Sequence, residues 1–179
     1  MDTVISAKGS NKCILTFYIP ETQLFIARLL NRCTEGAVKV AINELERALG
    51  TYDFLSVFNT WLTVAVNSAT RYRLKRVLTA LNAWVFITVI PWEVIRRGGI
   101  EEAHTLLRMI IPKGTVFTHL TQWDIKKCVN HINSYVREGL NGKTPYQASL
   151  EKFGLEILRA LQLKYIPPDD VILTPKLLK

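Results

Sequence analysis

The chain has 179 residues, of which 49% are apolar and 21% charged, and its formal net charge is +8. These values exclude a natively disordered segment and give enough length to bury the core of one domain. The positive balance favours an anionic partner, of which nucleic acid is the commonest, although charge alone fits equally well a basic protein with no such partner.

The chain opens on Asp2 to Ile5, short and β-branched, which predicts the start of a strand. Cys13 to Ile19 and Leu24 to Leu30 predict two more strands. The four residues between them, Pro20-Glu21-Thr22-Gln23, suit a hairpin connection. Thr34 then has the character of a helix N-cap. From Gly36 to Leu49, apolar Val38, Ile42, Leu45 and Leu49 recur at helical spacing, and Gly50 ends the run. Trp61 to Val66 predicts a fourth strand. Ile100 to Ile111 predicts a helix with Ala103, Leu107 and Ile110 or Ile111 on its inner face. Thr121 caps the next helix, with Asp124 as its capping-box partner and Ile125, Val129, Ile132 and Val136 facing inward. One more helix is expected from Leu150 to Leu163. The tail from Ile166 to Lys179 holds Pro167, Pro168 and Pro175, which predicts an extended course. Three strands, a helix and a strand make an α/β domain, but propensity does not separate the α/β folds from one another.

Cys13, Cys33 and Cys128 lie far apart in sequence, form no CxxC pair and are odd in number. Free thiols in a reducing compartment are the expectation. His104, His119 and His131 are scattered, which suits surface or half-buried roles better than metal ligation. Met1-Asp2-Thr3 has no basic n-region, and the apolar stretch from Val77 to Ile90 is shorter than the ~20 residues of a spanning helix. A soluble, cytoplasmic protein without membrane association is expected.

The stretch from Gly98 to Ser149 is the most specific. It opens with Arg97-Gly98-Gly99-Ile100-Glu101-Glu102-Ala103-His104, passes Asn130-His131-Ile132-Asn133-Ser134 and Arg137, and closes on Leu140-Asn141-Gly142-Lys143-Thr144-Pro145. It resembles the catalytic domain of bacterial insertion-sequence transposases of the IS-thirty family. The resemblance implies a ribonuclease-H-like (integrase catalytic core) α/β fold over residues 1–149, with a C-terminal helix and extended tail over 150–179. It implies DNA strand cleavage and transfer with Mg²⁺ or Mn²⁺ held by three acidic residues. The aspartate of the family's D-T-V strand corresponds to Asp2 and the glutamate of its K-G-x-I-E-x-x-H segment to Glu101, so both inherit catalytic and metal-binding roles. Read without the resemblance, Glu101 is an acid in a first helical turn, complementing the helix dipole.

The second aspartate belongs to a segment like L-T-D-x-G-x-E-F. Here Trp61-Leu62-Thr63-Val64-Ala65-Val66 puts Val64 in its place, and aliphatic valine holds no cation. No Asp or Glu occurs between Asp53 and Glu93. Impaired metal binding and an inactive copy are therefore expected. Between Thr63 and Gly98 the resemblance vanishes. A coding string for the family's Y-Y-C-D-P-M, read one base later, yields Ile87-Thr88-Val89-Ile90-Pro91-Trp92, so Val64 to about Arg97 reads as an out-of-frame segment between compensating indels. In that case the basic cluster of Arg71, Arg73, Lys75 and Arg76 is accidental, the functional alternative being a DNA-contacting patch. Family members carry a helix-turn-helix region ahead of the catalytic domain, for which nothing before Asp2 corresponds, so loss of transposon-end recognition is expected. Lys113, Arg137 and Lys143 are candidate phosphate contacts, and a solvated turn or helix end explains each equally well. DNA is the expected partner, together with a homo-oligomer or a mixed oligomer with an intact transposase. The alternative reading is a non-catalytic DNA-binding remnant, and a membrane-surface role for Val77 to Trp92 is the weakest of the three.

Overall fold

The computed structural model describes residues 1–62 and 93–178, with side chains for all of these except 59–62 and 93–98. The described residues form a mixed α/β structure. Three strands, β1 (Asp2–Ile5), β2 (Cys13–Ile19) and β3 (Leu24–Leu30), make an antiparallel sheet in the order β1-β2-β3. Their bounds are those the sequence predicts. The register sets Asp2 opposite Thr16, and Cys13 opposite both Ile5 and Leu30.

Successive strand residues point to opposite faces, and every residue of β2 is buried. Both faces of the central strand are therefore covered, which is why CILTFYI reads as a continuous apolar run. Helix α1 (Glu35–Leu49) starts on Thr34, whose hydroxyl accepts the Ala37 amide at 3.3 Å. It buries Ala41, Leu45 and Leu49, while Val38 and Ile42 pack partly buried at the margin of the core.

The predicted strand from Trp61 to Val66 is corrected at its start, since Trp61 and Leu62 end a helix, α2 (Thr51–Leu62). Residues 63–66 lie outside the described part. Gly50 turns the chain at φ 77° and its carbonyl accepts the Phe54 amide at 2.9 Å, so α2 begins directly after α1. Phe54, Val57 and Phe58 then fall on one helical face and are buried. Phe58 meets Phe17 of β2 edge-on, with ring centroids 5.5 Å apart. The aromatic and β-branched content suggested a strand; the spacing of the buried residues is helical.

Helix α3 (Glu93–Ile110) is followed by the turn Pro112 to Thr115, closed by a 3.2 Å backbone bond. Ala103, Leu107, Ile110 and Ile111 are all buried as expected. Helix α4 (Gln122–Asn133) carries the predicted capping box of Thr121 and Asp124. It buries Ile125, Val129 and Ile132, but Val136 is 47% exposed. The helix ends at Asn133, so Val136 never reaches the inner face. The predicted helix from Leu150 to Leu163 is two helices, α5 (Pro145–Phe153) and α6 (Leu155–Ala160), parted at Gly154 with φ 83°. The tail is not uniformly extended, because Pro168–Asp170 and Pro175–Leu178 form 3-10 turns and Leu177 is buried.

Helix α4 runs along the outer edge of β3. Asn133, fully buried, accepts the Phe25 amide at 2.9 Å and donates to the Phe25 carbonyl at 2.8 Å. Gln122 accepts the Leu29 amide at 2.8 Å. These side chains take the place of a neighbouring strand at this edge of the described sheet, satisfying backbone groups that would otherwise be open to pairing. No described helix is long and apolar enough to cross a membrane.

Candidate active site

Asp2 stands on β1 beside Thr16 of β2. Thr16 is completely buried, and its hydroxyl donates to the Asp2 carbonyl at 3.1 Å. That uses its only proton. The same oxygen lies 2.9 Å from Nε2 of His104 on α3, so the imidazole is the donor there and carries its hydrogen on Nε2. Nδ1 then presents a lone pair to Asp2, with Oδ2 3.7 Å away. His104 packs edge-on against Phe25, ring centroids 6.2 Å apart. Burial lowers its pKa; Asp2 opposes that shift, and Arg108 and the chain's α-amino group reinforce it. The balance favours the neutral imidazole.

Asp2, Ser6, His104, Arg108, Lys113 and Gly114 line one open cleft of about 550 Å³. Asp2 is 57% exposed and turns its other oxygen to the Thr3 amide at 2.7 Å. Glu101 is also exposed and lies on α3 three residues before His104, close enough to influence its charge. Helix α3 begins well before Glu101, so this residue is not in a first turn and the helix-dipole explanation of its charge fails.

The described residues do not by themselves make a cage for a pair of divalent ions. Among the described residues no three His, Cys, Asp or Glu side chains converge on one point. Asp2 faces an imidazole rather than a second carboxylate, and paired Mg²⁺ sites are built of hard oxygen donors. Val64 lies outside the described residues.

The three candidate phosphate contacts fare differently. Lys113 is exposed in the turn after α3 and shares the cleft with Asp2. Lys143 is half-exposed and pairs with both carboxylate oxygens of Glu151, at 2.9 and 2.7 Å. Arg137 is only 4% exposed and is held in an ion pair by Glu102. Its backbone amide donates to Lys143 and its carbonyl accepts from Leu140 and Gly142, so it organises the turn in which Asn141 is left-handed at φ 54°. Arg137 therefore ties α3 to this turn and has little free surface to offer a phosphate.

Gly99 explains how α3 comes so close to the sheet. A Cβ built there would fall 2.5 Å from the Tyr18 ring, so a side chain would push the helix off β2. Tyr18 is itself buried, which raises its pKa to about 12.

Sequence reasoning named Asp2, Glu101 and Lys113 but missed Thr16, His104 and Arg108. Thr16 sits in the apolar run of a buried strand, where only the strand register reveals its partner. His104 was set aside as a scattered histidine, although its spacing of three from Glu101 on a helix was a usable signal. Neither a protein-family model nor a curated protein nor a solved structure matches this chain.

Proposed function

We propose that this chain is the catalytic domain of a DNA transposase of the ribonuclease-H-like, IS-thirty type that still binds DNA and no longer cuts it. The observation that carries the reading is the meeting of its two motif segments. Asp2-Thr3-Val4 and Ile100-Glu101-Glu102-Ala103-His104, far apart in sequence, lie against each other at one cleft, with Asp2 and His104 3.7 Å apart. An antiparallel three-strand meander followed by helices is compatible with the proposed fold.

Lys113 and Arg108 supply positive charge at the cleft rim, which positions a phosphate backbone without reading its sequence. In an intact site Mg²⁺ or Mn²⁺ supplies Lewis-acid activation of the attacking oxygen. Asp2 and Glu101 without a third carboxylate do not reproduce that site, so no cleavage step is assigned to this chain. What remains is a DNA-binding remnant, with a capacity to join mixed oligomers as the accompanying expectation.

The test is a plasmid nicking assay in Mg²⁺ or Mn²⁺, run beside a gel-shift measurement with a short duplex. The unmodified chain is expected to shift DNA and leave the plasmid intact, while Val64→Asp gains nicking. Efficient metal-dependent nicking by the unmodified chain overturns the inactive reading, and loss of all DNA binding overturns the transposase reading.

A further inference from the structure

The sequence separates the three cysteines, but the fold brings two of them together. Cys13 begins β2 and is completely buried. The register pairs it with Leu30, the last residue of β3. The chain turns directly after Leu30, with Thr34 donating to the Arg32 carbonyl at 3.0 Å. Cys33 is therefore three residues beyond Cys13's cross-strand partner, near enough for its thiol to raise the pKa of Cys13 alongside burial. Cys33 is exposed and Cys13 is not. Cys128 is buried on α4.

We propose that Cys13 and Cys33 are a dithiol that closes to an intramolecular disulfide by exchange with a low-molecular-weight disulfide. The geometry orders the steps. The Cys33 thiolate, reachable from solvent, attacks one sulfur of the small disulfide, forming a mixed disulfide and releasing one small thiolate. Cys13 gives up its proton and attacks the Cys33 sulfur, expelling the second small thiolate. Two protein thiols are oxidised, one small disulfide is reduced to two thiols, and the released thiolates take up the two protons. Burial raises the Cys13 pKa to about 12, so the second step is the slow one and the mixed disulfide at Cys33 accumulates first.

The bridge would fasten the entry of β2 to the segment joining β3 to α1. It encloses the whole β2–β3 hairpin in one covalent loop, a link that constrains the unfolded chain more than the folded one. This inference is independent of the transposase reading, because none of the residues involved lines the Asp2 cleft.

The experiment treats the folded chain with oxidised glutathione, blocks remaining thiols with an alkylating reagent, and maps the peptides without reduction. The expected product is a Cys13–Cys33 peptide pair, with a mass loss of two hydrogens from the chain and Cys128 still alkylated. Oxidation should raise the unfolding temperature, and a dithiol reductant should reverse the rise. Cys33→Ser, at an exposed position, should leave Cys13 unoxidised, while Cys128→Ser should still form the bridge. The proposal is overturned if the end product is glutathione on Cys33 with Cys13 still free, if Cys33 only links two chains, or if Cys13 pairs with Cys128.

Discussion

Two histidine contacts show how single residues set the electrostatics. His131, buried on α4, accepts the Ile172 amide through Nδ1 at 3.1 Å, which anchors the C-terminal tail. Accepting that bond requires the neutral ring. Burial lowers its pKa, with Lys127 reinforcing the shift and Asp170 opposing it. An unfolded histidine takes up its proton near pH 6.5. The stability that neutral His131 contributes is therefore complete above about pH 6.5 and lost as the pH falls through the lower folded value. His104 shifts in the same direction and adds to the loss. Urea midpoints should fall on going from about pH 7.5 to about pH 5, and His131→Gln, which keeps an acceptor, should flatten that slope. Arg137 and Lys113 make a second contrast at this scale. Arg137→Ala leaves Glu102 without its buried partner and frees α3 from the turn at Asn141, so it should lower thermal stability. Lys113→Ala, at an exposed position, should leave stability unchanged and weaken DNA binding alone. Circular-dichroism melts beside gel shifts distinguish the two.

At the scale of elements, the sheet edge is the place where side chains do the work of a strand. Asn133 satisfies both backbone groups of Phe25 from a fully buried position. Asn133→Ala leaves a buried amide and a buried carbonyl without partners, at roughly 1–3 kcal/mol each. The expected loss is about 2–6 kcal/mol in urea denaturation, whereas Gln122→Ala, which removes one bond at a less buried position, should cost less. This edge also marks the limit of what local pattern discloses. The three strands and the capping boxes at Thr121 and Thr144 are local, set by neighbours within a few positions, and the strands and the Thr121 box were legible from sequence. Helix α2 was not legible: residues 51–60 carry no predicted element and Trp61 to Val66 reads as a strand, while burial of Phe58 against Phe17 selects a helical face. The split between α5 and α6 rests on one left-handed glycine, which a run of helix formers on either side obscures. Asp2 was legible as a motif residue, but its contacts with Thr16 and His104 depend on pairing across the sheet and on a helix close enough to touch it. Gly99 permits that approach, and a larger residue such as Gly99→Val should separate α3 from Tyr18 and lower stability.

Across the whole molecule, a net charge of +8 attracts any polyanion, so DNA binding alone does not distinguish a docking cleft from a diffuse basic surface. Salt dependence does. Each phosphate neutralised contributes about −0.9 to the slope of log K against log salt on duplex DNA. If the Asp2 cleft seats the backbone, removing one cation at its rim reduces the slope by about one, and a removal elsewhere does not. Lys113→Ala should therefore flatten the slope, while Lys143→Ala, whose ammonium is already engaged by Glu151, should change it far less. Fluorescence anisotropy with a labelled duplex, titrated across a range of salt concentrations, measures both. Equal reductions for the two variants mean that charge is sensed over the whole surface and that the cleft has no privileged role. A reduction confined to Lys113 locates the phosphate path beside Asp2.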